Sequence, residues 1–206
     1  MYLPRAFAEP DLAQLDALFA ADPFISLVTT DAAGAPHVSH LPVLYHRDGE
    51  RVRLEGHWAR PNPQAVHGGD AIAIVHGPHA YVSPGCYPDK HEAGRVPTWN
   101  YVVAHLHGTL ATFEDEMRLA DLVARLSRHF EAAIGSDWEF DPDDARQRAM
   151  LRGIVGFRFE PARVEIKAKL SQNHPEANRR AVAAALAARD DADARAIAAR
   201  MHAALP

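Results

Sequence analysis

A chain of 206 residues, 48% hydrophobic and 24% charged, carries enough apolar side chain for a core that needs neither disulfides nor a structural metal. Cys86 is the lone cysteine, which excludes an internal disulfide framework; there is no basic-then-apolar leader and no apolar run long enough for a bilayer, so the expectation is a cytoplasmic protein. The formal net charge of −5 speaks against DNA-backbone binding as the default, because that binding draws on a basic face; a basic patch confined to one region stays compatible with it.

Leu12, Leu15, Leu18 and Phe19 recur at helical spacing and predict a helix over residues 9–20, stopped by Pro23. Residues 24–30 are rich in strand formers, 31–36 form a turn and 37–45 a return strand. Asp48-Gly49 signals a tight hairpin into a third strand over 52–56. Asn62 and Pro63 suit the cap and first position of a short helix closed by Gly68-Gly69. A strand over 71–75 is expected to continue past Pro78 to Val82. Residues 83–98, with Pro84, Gly85, Pro88, Gly94 and Pro97, read as a long polar loop, a type usually functional or mobile.

A long strand follows over 99–113. Residues 114–134 then give the clearest helix, with Leu119, Leu122, Val123, Leu126, Phe130 and Ile134 in one stripe and Gly135 after it. A short helix opens at Asp141-Pro142-Asp143-Asp144, and two strands, 154–160 and 164–170, are predicted on either side of Pro161. The Ala-rich tail from Pro175 is helical, with a break near Asp190-Asp191. Close antiparallel hairpins with peripheral helices predict an α+β fold built on a small β-barrel, a single domain over 1–206 with 175–206 as a helical extension.

Three segments combine residue types that bind ligands. His57 to Pro63 joins a strand to a helix start, where free N–H groups, the Arg60 fork and a His57 donor suit a phosphate; an Asn-capped surface turn explains the same residues equally well. Thr98, Trp99 and Asn100 place an aromatic wall beside oriented hydrogen-bonding groups, as a planar heterocycle requires, although a core tryptophan at a turn is the commoner meaning. Lys167, Lys169 and Ser171 alternate onto one strand face and could hold an anion or simply guard a strand edge. The 13 histidines include His105 and His107 at strand spacing, but no third ligand follows at a metal-site interval, so no metal is expected. No Walker loop, GxGxxG, GxSxG, HExxH or helix-turn-helix pattern is present.

In their order along the chain, Met1 to Phe7, His40-Leu41-Pro42, His57 to Gln64, Gly77 to Pro84, Pro97-Thr98-Trp99-Asn100-Tyr101, Ile154-Val155-Gly156 and Lys169-Leu170-Ser171-Gln172-Asn173 resemble the PaiB-type family of FMN-binding negative transcriptional regulators. The resemblance implies a split β-barrel like that of pyridoxamine-phosphate oxidases, a homodimer, and FMN as cofactor. It implies that His57, Arg60 and Asn62 serve the phosphate and that His40, Leu41 and Pro42 line the isoalloxazine. Thr98, Trp99 and Asn100 would close the pocket, with Lys169, Ser171 and Gln172 as polar contacts. Three family aromatics are replaced, by Ala65, by Ala168 and within Gly85-Cys86, so a weaker flavin site is expected. Direct DNA binding lacks a motif. The rival readings are a flavin-dependent NAD(P)H oxidoreductase, in which the flavin itself carries the redox chemistry, and a haem-binding split-barrel protein.

Overall fold

The computed structural model describes residues 1–205. Eight strands, β1 (Ala8–Glu9), β2 (Phe24–Thr30), β3 (Pro36–Pro42), β4 (Leu44–Asp48), β5 (Arg51–Ala59), β6 (Gly69–Val82), β7 (Thr98–Phe113) and β8 (Ile154–Lys169), form one sheet. Their order is β3-β2-β6-β7-β8-β5-β4, with β1 beside β8. The helices are α1 (Ala13–Ala21), α2 (Glu116–Ile134), α3 (Ala145–Met150), α4 (Glu176–Ala187) and α5 (Ala192–Ala203). This is the expected α+β architecture on an antiparallel sheet, with a helical tail.

Local chemistry explains where the elements begin and end. The first helix starts at Ala13 rather than Glu9, because Ala8 and Glu9 pair with Lys167 and Ile166 and Asp11 accepts the Ala13 N–H at 2.9 Å. The β4–β5 loop centres on Gly49 and Glu50, one residue later than the sequence signal, since Asp48 pairs with Arg51. Gly49 takes a φ of 59°, which an L side chain resists and a tight hairpin demands. Asp115 caps α2 by accepting the Arg118 N–H at 2.9 Å. Asp191 caps α5, which accounts for the break at that point.

The segment around Pro161 departs from expectation. Instead of two strands, β8 runs unbroken from Ile154 to Lys169. Gly108 on β7 makes this possible: a Cβ there would lie 2.1 Å from the Glu160 carbonyl oxygen and 2.4 Å from the Pro161 Cα. Proline removes a ladder donor, and the glycine opposite lets the two backbones close up where that bond is missing.

The chain divides into two compact units. The first comprises residues 1–16, 76–104 and Glu165 onward, and the second residues 17–75 and 105–164. In the second, Leu119, Leu122 and Leu126 from the α2 stripe pack with Phe113, Phe140 and Leu151. Burying a side chain of this size contributes about 1.5–3 kcal/mol, so the stripe anchors α2. In the first, Val182, Ala183 and Leu186 of α4 and Ile197, Ala198 and Met201 of α5 are buried, as alanine-rich helices in close contact require. No helix among the described residues is long and apolar enough to cross a membrane.

Candidate functional site

The residues singled out from sequence fall into two groups, one in each unit. In the second unit, β5 ends at Ala59 and leads through Arg60 to a 3₁₀ turn over Pro63–Val66. Asn62 caps this turn as expected, its Oδ1 accepting the Gln64 N–H at 2.9 Å while its amide donates to Ser39 Oγ at 2.9 Å. Gln64 is the hub the sequence did not disclose. It is 1% exposed, and its amide donates to Leu27 O at 3.2 Å, Thr29 Oγ1 at 2.9 Å and His37 O at 3.0 Å, while its carbonyl accepts from Ser39. The turn is thereby bolted to β2 and β3.

Arg60 is more committed than an open phosphate fork. Its Nε donates to Arg152 O at 2.7 Å, Nη2 to Ile154 O at 3.2 Å and Nη1 to Glu114 at 2.5 Å. Two of its five N–H donors remain for a ligand. Asn62 likewise keeps one amide hydrogen. The His57 Nδ1 is buried with no hydrogen-bond partner, and burial lowers the imidazole pKa, which favours the neutral ring. His40 is exposed on β3, its Nδ1 sharing a hydrogen bond at 2.9 Å with Ser26 directly opposite on β2. Leu41 is half-buried and Pro42 exposed beside it.

In the first unit the long polar loop and the end of β8 enclose a cleft of about 310 Å³, lined among others by Arg95, Thr98, Asn100, Lys169, Ser171 and His174. Ion pairs and hydrogen bonds tie the loop to its surroundings. Arg95 forms a two-pronged ion pair with Asp89, Nε to Oδ1 at 3.0 Å, and Asn178 of α4 donates to the same carboxylate at 2.8 Å. The Arg95 hydrogen bonds hold the Asp89 pKa down to about 2. Lys169 donates to Thr98 Oγ1 at 2.5 Å and to Trp99 O at 2.6 Å, leaving one N–H to point elsewhere. Burial, then the neighbouring Lys167 charge, lowers its pKa.

Ser171 takes a φ of 62°, rare for a non-glycine residue, and its hydroxyl donates to Asn100 Oδ1 at 3.1 Å. Asn100 is fully buried and also donates to Met201 Sδ at 3.4 Å. Gln172 turns back on its own segment, accepting from Leu170 N at 2.7 Å and donating to Ala168 O at 2.5 Å, so most of its capacity is spent locally. Trp99 is 50% exposed beside Tyr81, 42% exposed, with ring centroids 5.9 Å apart. An exposed indole on a sheet offers a stacking wall for a flat ring. Arg95, Tyr87 and His174 were not expected here: they reach the cleft through the loop closure and through the ring stacking of Tyr87 on His174 at 4.8 Å.

Each group offers donors of the kind that meet phosphate and hydroxyl oxygens, a guanidinium in the second unit and an ammonium in the first, and the first adds an exposed indole of the kind that stacks on a flat ring. The orphaned Nδ1 of His57 is a buried polar atom of the kind a ligand oxygen would satisfy. Of the positions that lack family aromatics, Ala65 is buried while Ala168 and Cys86 are partly exposed.

Residues 1–163 match the family described as "Putative FMN-binding domain". The chain is 30% identical over 184 residues to the protease synthase and sporulation protein PAI 2 of Bacillus subtilis, covering 85% of this chain and 84% of that protein. Among solved structures, the FAD and haem binding protein of Mycobacterium smegmatis superposes with a TM-score of 0.56 at 14% identity, covering 79% of this chain and 73% of that one. The flavocytochrome Anf3 of Azotobacter vinelandii does so with a TM-score of 0.55 at 19% identity, covering 81% and 72%. The fold is therefore the split barrel, and the chain belongs to the PaiB-type family of FMN-binding proteins.

Proposed function

We propose that this protein binds FMN as a cytoplasmic homodimer and acts in regulation through its flavin, not through direct reading of DNA. The observation that carries the cofactor assignment is the first-unit cleft, where the Lys169 ammonium is fixed by Thr98 and Trp99 with a donor to spare and Ser171 and Asn100 line the same space. His57, Arg60 and Asn62 are assigned to the flavin phosphate through the donors they retain, and His40, Leu41 and Pro42 to the ring. The indirect role follows from the chain's charge of −5 and its lack of a DNA-reading motif.

Arg60→Ala is expected to weaken FMN binding about tenfold, the loss of one charge-assisted contact. It should also lower the melting temperature, because Arg152, Ile154 and Glu114 lose their partner. Isothermal titration with FMN reads the first effect and calorimetry the second. A folded variant with undiminished affinity would remove Arg60 from the site.

The homodimer draws support from the outer face of β2, β3 and β6. Val38 is 54% exposed on that face, and Val28 lies between it and Ile72 across the two registers. Val38→Glu is expected to convert the dimer to monomer in light-scattering chromatography, since a charge in an apolar contact is left unpaired. A wild-type chain that elutes as a monomer at micromolar concentration would sink this part of the proposal.

A further inference from the structure

The second unit carries a concentration of positive charge that the flavin reading does not use. Glu55 on β5 is buried, and three guanidinium groups converge on it. Arg125 of α2 donates to Oε2 at 2.9 Å, Arg158 of β8 reaches Oε1 at 3.5 Å, and Arg53, two residues earlier on β5, lies 3.6 Å from Oε2. One carboxylate satisfies one well-formed guanidinium fork. The other two stand at the limit of hydrogen bonding or beyond it, and the Nε atoms of Arg53 and Arg158 are buried without an acceptor. Arg128, nearly one helical turn past Arg125, has neither a hydrogen bond nor an ion pair among the described residues.

These side chains line two adjoining clefts. The larger, about 460 Å³, is bordered by Tyr45, His46, Arg53, Arg125, Arg128 and His129. Arg118 and Arg158 line the smaller, of about 290 Å³, and Glu55 and Arg125 border both. Across the two, five arginines face two carboxylates, Glu55 and Asp121, within a chain that is acidic as a whole. Holding like charges together at a partly dehydrated site is unfavourable unless an anion offsets them.

We propose that this arginine cleft binds the phosphoryl group of a ligand other than the flavin. A carboxylate offers two oxygens, and Glu55 already supplies that pattern. A phosphoryl group offers three or more, enough to engage the forks of Arg53 and Arg128 together with the N–H groups that Arg125 keeps beyond its bonds to Glu55 and Asp121. Glu55 is the positioning residue that keeps the forks gathered at the mouth of the cleft.

The test is isothermal titration of the full chain with inorganic pyrophosphate at fixed ionic strength, alongside an FMN titration, for wild type and for the Arg53→Gln/Arg128→Gln variant. The expected result is saturable pyrophosphate binding that weakens at least tenfold in the variant, with FMN affinity and melting temperature unchanged. Wild-type protein without saturable binding, or a variant that binds equally, overturns the proposal. A variant that loses FMN affinity in parallel also overturns it, because the cluster then belongs to the flavin phosphate. Competition identifies the source. Displacement by a mononucleotide but not by duplex DNA supports a small phosphorylated ligand, and displacement by duplex DNA supports backbone phosphates. Displacement by neither reduces the cleft to a sink for small anions and overturns the phosphoryl assignment.

Discussion

Gly108→Ala is expected to destabilise the fold by about 3 kcal/mol or more, because the new methyl meets backbone rather than a movable side chain. The Glu160 carbonyl oxygen would lie 2.1 Å from it and the Pro161 Cα 2.4 Å. Neither atom can step aside by rotating about a side-chain bond, so β7 and β8 must separate. For a chain of this length, that loss corresponds to a fall in melting temperature of roughly 6–12 °C. Gly153→Ala serves as the control, since nothing lies within 4 Å of the added carbon, and a change within about 0.5 kcal/mol is expected there. Equal melting temperatures for the two variants would mean that β8 does not run past Pro161 against Gly108.

The second large effect is on the cofactor. Lys169→Met keeps the length and apolar stem of the side chain and removes its charge. FMN affinity is expected to fall by tenfold or more, the worth of a charge-assisted hydrogen bond at roughly 1.5–3 kcal/mol. Lys169→Arg separates contact from collapse. It keeps the charge, so most of the affinity should return if Lys169 meets the flavin, and none should return if the loss came only from a disordered cleft. Gln172→Ala, by contrast, should leave FMN affinity nearly unchanged, because the carboxamide already serves Leu170 and Ala168. A Lys169→Met chain that binds FMN as tightly as wild type would take the first-unit cleft out of the flavin site.

Much of this fold was legible where the information is local. The α2 stripe, the Asn62-Pro63 turn and the break in the tail each follow from residues a few positions apart. Pro161 misled for a physical reason: a proline reads as the end of a strand, and the Gly108 that accommodates it lies more than fifty positions earlier. The site shows the same division. Lys169, Ser171, Thr98 and Asn100 could be chosen by residue type and by resemblance, and the fold brings them to one cleft. Gln64 could not be assigned as a hub, because its partners Leu27, Thr29, His37 and Ser39 lie 25–37 residues away. The commitment of Arg60 to Arg152 and Ile154, across separations of 92 and 94 residues, was equally hidden. The arginine cleft was invisible for the same reason, since a net charge of −5 says nothing about where three elements deliver their guanidinium groups.

The most direct test of the account is a titration of the purified chain with FMN, followed by flavin fluorescence and visible absorbance. Saturable binding at micromolar concentration or tighter, with one flavin per chain, is the expected result, and NAD(P)H oxidation assays on the loaded protein follow from it. No saturation up to about 1 mM, an affinity too weak for a resident cofactor, would contradict the account. It would mean that the substitutions at Ala65, Ala168 and Cys86 have disabled the flavin site of a split barrel that keeps its family's fold.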